Sequence, residues 1–65
     1  MSKRIRITYP VEYAWPIVAV LETLWDDGDW VEDDAWGGDT IPDALGPFID
    51  RFGLDKVNEL RKVTT

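Results

Sequence analysis

Residues 4–13 alternate with strict period two. Ile5, Ile7, Tyr9, Val11 and Tyr13 hold one parity, and Arg4, Arg6, Thr8, Pro10 and Glu12 hold the other. β-Branched and aromatic residues at every second position predict a strand with one buried face. Pro10 has no amide proton to give a ladder, so the strand is expected over 3–9, at a sheet edge or ending near position 9. One such strand needs a partner, which constrains everything that follows. The partner is another segment of the chain, a second copy or a target's sheet.

The chain must solve this within 65 residues, with no Cys and no His. That length supports a single small domain over 1–65. No disulfide or thiolate metal site is available, and the commonest acid–base side chain is missing. Stability must come from packing, with four Trp as the largest contributors of area. No internal repeat or separating linker is evident. No apolar run is long enough to span a membrane, and no signal-peptide core follows the basic start. A cytoplasmic protein is expected.

After position 13 the period changes. Ala14, Ile17, Val18, Leu21, Leu24 and Trp25 fall on one helical stripe, with Pro16 fit for a first turn and Gly28 for the position past the end. This spacing predicts a helix over 15–27, with Trp15 and Trp25 in the core. Asp26 and Asp27 would then sit at the negative end of its dipole, a local rule broken without visible gain. Residues 28–40 read as an acidic loop, in which Trp30 and Val31 could form a brief strand and Gly37-Gly38 a turn. Thr40 and Asp43 resemble a capping pair. Gly46-Pro47 suggests that a short turn near 42–46 precedes a helix starting at Pro47, with Leu45, Phe48, Ile49 and Phe52 on one face. Gly53 then ends that helix and Asp55 caps another carrying Val57 and Leu60, or one helix runs from 47 to 62. The expected fold is α+β, a single small domain whose N-terminal strand, or short hairpin, packs on two or three helices. The alternative is a nearly all-α bundle with an extended N-terminal arm.

Charge is strongly polarised. Thirteen acids and seven bases give a net charge of −6. The stretch WDDGDWVEDDAWGGD, residues 25–39, holds seven carboxylates and three tryptophans with no Lys or Arg. Bases lie at 3–6 and 51–62. This balance argues against direct binding of nucleic acid or an anionic membrane, which need a basic face, and favours a basic protein partner.

Little in the sequence supports catalysis. Without Cys or His there is no Ser–His or Cys–His arrangement, and paired carboxylates for sugar chemistry need a cleft that a chain this short rarely builds. The acids do not make a calcium loop. Counted from Asp27, loop position three is Asp29, but positions five and six are Val31 and Glu32, where an oxygen ligand and glycine are needed. There is no glycine-rich phosphate loop. No cofactor or metal is expected.

What remains is an acidic recognition surface made of Asp26, Asp27, Asp29, Trp30, Glu32, Asp33, Asp34, Trp36 and Asp39. In an extended segment, acids on one side repeat at roughly 6–7 Å, a scale comparable to phosphate spacing. Such a row can occupy a groove built for nucleic acid, and tryptophans supply contact anchors. The expected function is a non-enzymatic acidic protein that blocks a basic surface. Its sharper form is a nucleic-acid mimic of phage or mobile-element type, directed at a DNA-binding host protein. Two readings compete. The acids can simply solubilise the chain and pair with Arg4, Arg6, Arg51 or Lys56. Alternatively, the protein is a small oligomeric structural or regulatory unit, a homodimer in its simplest form, joined through its strand edge or its Phe48, Ile49 and Phe52 face.

Overall fold

A computed structural model describes residues 2–63. Three strands form an antiparallel meander: β1 (Lys3–Thr8), β2 (Ile17–Leu24) and β3 (Trp30–Gly38), in the order β1-β2-β3. Two helices follow, α1 (Ile41–Phe52) and α2 (Leu54–Arg61). This is the expected α+β class, not the all-α alternative.

β1 behaves as its alternation requires. Ile5 is buried and Ile7 half-buried against the helices, whereas Arg4 and Arg6 point to the other face. It ends at Thr8, ahead of Pro10.

The expected helix over 15–27 is instead the central strand. IVAVLETL is almost continuously apolar, so its residues satisfy a helical stripe and two strand faces alike. β-Branched Ile17, Val18, Val20 and Thr23 favour the pleated surface. β2 is buried on both faces from Val18 to Thr23, so it shows no alternation of apolar and polar positions. Ile17, Ala19, Leu21 and Thr23 face the helices; Val18, Val20, Glu22 and Leu24 face the opposite side. Pro16 stands just before the strand, where its missing amide costs no ladder bond.

The acids that would have opposed a helix dipole are turn residues. The Trp25 carbonyl accepts from Gly28 N (2.9 Å), and Trp25 N donates to the Asp29 carbonyl (2.9 Å). Gly28 takes φ +89°, as the last residue of a three-residue hairpin loop commonly does. The Asp27 carboxylate accepts from Asp29 N (3.0 Å) and tightens the same turn. Trp25 is therefore exposed beside the turn instead of buried in the core.

Most of the segment expected as a loop over 28–40 is β3. Gly37 and Gly38 are strand residues, not a turn, and each is small because something lies against it. A Cβ on Gly37 would overlap the Trp15 ring, and one on Gly38 would lie 2.6 Å from the Ala44 amide nitrogen. Trp15 thus rests on the outside of the sheet, partly exposed, not in the core.

Thr40 caps α1, its hydroxyl accepting from Asp43 N (3.2 Å). The helix runs unbroken through Gly46-Pro47, which was expected to interrupt it. Ala44, Leu45 and Phe48 on either side of the proline are buried, so packing holds the turn that propensity weakens. Gly53, at φ +87°, separates the helices and serves as the N-terminal cap of α2; Asp55 lies in the first turn instead. Phe48 is fully buried, and Ile49 and Phe52 pack on the core, so the apolar helix face proposed for association is occupied internally. The core joins Ile5, Ala19 and Leu21 to Ala44, Leu45, Phe48, Val57 and Leu60. Among the described residues no helix is long and apolar enough to cross a membrane.

Candidate functional site

The nine sequence-picked residues gather along the β3 side of the molecule, but not on one face. The cause is an irregularity where β3 passes Leu21 and Glu22. Leu21 pairs with Asp34 and Glu22 with Glu32, leaving Asp33 as an extra residue. A single inserted residue reverses parity beyond it. Trp30 and Glu32 therefore share the outer face with Glu22, whereas Asp34 and Trp36 turn to the helix side.

Two of the acids are used internally. Asp33 receives hydrogen bonds from the Thr23 hydroxyl and from Lys3 Nζ, the latter at 2.9 Å. Lys3 also donates to Thr23 Oγ1 (2.7 Å), closing a three-residue network across all three strands. The Thr23 hydroxyl and the Lys3 ammonium hold the Asp33 carboxyl below its ordinary value. Asp34 lies 4.0 Å from the Arg51 guanidinium and accepts from its neighbour's amide, Ala35 N (2.9 Å), and from the Trp36 indole (3.3 Å). Trp30 is half-buried with the Arg4 guanidinium stacked 4.1 Å from its ring centre.

The remaining acids are exposed. Asp26, Asp27 and Asp29 form the hairpin tip, Glu32 lies on the outer face of β3, and Asp39 stands in the connection to α1. None of these five has a salt-bridge partner among the described residues. Beside them are the exposed rings of Trp25 (54%) and Trp36 (46%), with Val31. The result is an edge and tip carrying free negative charge and large apolar side chains. No group of three or more metal-ligating side chains converges among the described residues.

Two features escaped the sequence. The first is Glu22, only 6% exposed on the sheet's outer face. Its carboxylate takes hydrogen bonds from Arg4 Nε (2.8 Å) and from Arg6 Nε and Nη2 (3.1 and 3.3 Å). Arg6 first, then Arg4, hold its carboxyl below the usual range against the opposing effect of burial, and Glu22 raises Arg6 in return. Strand register could have revealed this cluster, since Arg4 pairs with Glu22 directly. The second is the β1–β2 connection. Its Tyr9, Tyr13 and Trp15 are exposed, and Val11 is 98% exposed. Together with Thr8, Pro10, Val18, Val20 and Ala35, Tyr13 walls a shallow depression of about 430 Å³ flanked by Arg6 and Glu32. The unbroken parity from Ile5 to Tyr13 hid this, because the pattern continues past the strand's end.

Comparison of the chain with protein-family models, curated proteins and solved structures found no match.

Proposed function

We propose that this is a non-enzymatic interaction protein. Its acidic, tryptophan-bearing β3 edge and hairpin tip dock on a basic protein surface and block it. The observation that carries this is the coincidence of exposed Trp25 and Trp36 with five exposed carboxylates that have no salt-bridge partner among the described residues. A purely solubilising surface has no use for exposed tryptophans, and large aromatics are the residues that anchor interfaces. The contact residues are Asp26, Asp27, Asp29, Glu32, Asp39 and Trp36, with Trp25 added. Asp33, Asp34 and Trp30 act from behind by fixing the strand. A partner that normally holds nucleic acid is the sharper form of this proposal. Charge supports that form better than phosphate-like spacing does, because the bulge turns Glu32 and Asp34 to opposite faces.

The test is capture of partners from a lysate at two salt concentrations. Wild type is compared with a variant carrying Asp26→Asn, Asp29→Asn, Glu32→Gln and Asp39→Asn. A basic protein retained by the wild type at low salt, released at high salt and lost by the folded variant supports the proposal. A partner list equal for both, or insensitive to salt, overturns it.

A further inference from the structure

The opposite edge of the sheet has a different character. Leu24 N donates to the Ser2 carbonyl (2.8 Å), which fixes the alternation of the β1–β2 ladder. Ser2, Arg4, Arg6 and Thr8 direct their backbone groups to β2, so Lys3, Ile5 and Ile7 direct theirs outward. No hydrogen bond among the described residues reaches those outward groups. β1 contains no proline and no bulge, so its edge is guarded by the charge of Lys3, Arg4 and Arg6 and by its short length, not by backbone geometry. β3, by contrast, has a bulge, and the outward amide of Ala35 is capped by Asp34.

A depression of about 370 Å³ runs beside this edge, lined by Arg4, Ile5, Arg6, Ile7, Arg61 and Val63. It meets a second one, of about 320 Å³, at Val63. Three guanidiniums surround the groove in a molecule of net charge −6, and among the described residues Glu22 is the only carboxylate bonded to them.

We propose that the β1 edge receives an extended acidic peptide segment of a partner protein as a fourth strand. Backbone groups of Lys3, Ile5 and Ile7 pair with it. Positions opposite Arg4 and Arg6 carry carboxylates on the outer face, and positions opposite Ile5 and Ile7 carry apolar side chains toward Val63. A second copy is a poorer occupant. Two β1 edges would bring arginines together, and the β3 edge is blunted by its bulge.

The probe is a blocked peptide alternating glutamate and valine, added to the full chain and followed by amide hydrogen exchange. The amides of Lys3, Ile5 and Ile7 are expected to slow on binding. A peptide N-methylated along its pairing edge, or one with lysine for glutamate, should leave them unchanged. Arg61→Glu, an exposed position, should weaken binding roughly three- to tenfold with the fold intact. Asp29→Asn with Glu32→Gln should not weaken it, which separates this site from the acidic edge. Equal binding of the N-methylated or lysine peptide would overturn the proposal, as would no binding at all. Protection of the same amides that rises with protein concentration alone would overturn it in favour of a second copy.

Discussion

Glu22 shows how a single carboxylate is made structural in a chain full of solvated ones. It stands on the central strand between Arg4 and Arg6, nearly covered, with both oxygens bonded. Replacing it by a neutral amide leaves two guanidiniums without a counter-charge and puts an NH2 donor where one of the two acceptor oxygens stood. Glu22→Gln is expected to cost roughly 1.5–3 kcal/mol at neutral pH, read by urea unfolding. Its folded pKa is lowered, so its contribution is present above the ordinary glutamate value of about 4.3 and is lost as pH falls through the folded value. The gap between wild type and variant should therefore narrow below about pH 4. A constant gap down to strong acid would show that the loss does not come from the charge of the Glu22 carboxylate. Gly37 makes a second residue-scale test. The Trp15 ring occupies the space of its missing side chain, so Gly37→Ala should expel the indole, shift tryptophan emission to the red and cost about 1–3 kcal/mol.

At the level of elements, the β2–β3 hairpin depends on Gly28. Its φ of +89° is one that a side chain resists, so Gly28→Ala should destabilise the protein by about 1–2 kcal/mol in denaturant unfolding. An effect near zero would mean that the turn relaxes freely. The same glycine explains why the chain is legible in part. β1 was readable because its alternation is that of a strand, although the pattern runs on past Thr8, and α1 was readable only in part: Thr40 and Asp43 mark its start, but Gly46-Pro47 hid its continuity. β2 was not. In IVAVLETL nearly every position is apolar, so period carries little information, and Pro16 and Gly28 suit a helix's two ends as well as a strand's start and a turn. The site was legible in composition but not in direction. The bulge at Asp33 reverses parity within β3, and nothing local in VEDDA announces it.

At the scale of the whole molecule, charge is sorted across the sheet. β1 and the end of α2 supply Arg4, Arg6 and Arg61, whereas the hairpin tip and β3 side expose Asp26, Asp27, Asp29, Glu32 and Asp39 with no salt-bridge partner among the described residues. Like charges crowded on one edge repel, and that repulsion opposes the compact state. If the edge is kept for a partner, neutralising it should help the isolated protein while harming association, the usual conflict between stability and function. Asp29→Asn, Glu32→Gln and Asp39→Asn together are therefore expected to raise Tm at low ionic strength. A gain of about 1 kcal/mol would appear as roughly 4–8 °C in a domain of this size. Salt screens exposed charges beyond about 10 Å at 0.1 M, so the gain should shrink as salt is added, as thermal scans across a salt series would show. Asp33→Asn should move Tm the other way, because that carboxylate is held by Thr23 and Lys3. If all four substitutions lowered Tm equally, the free acids would be structural after all, and the docking edge would have to be sought among Tyr9, Val11 and Tyr13 instead.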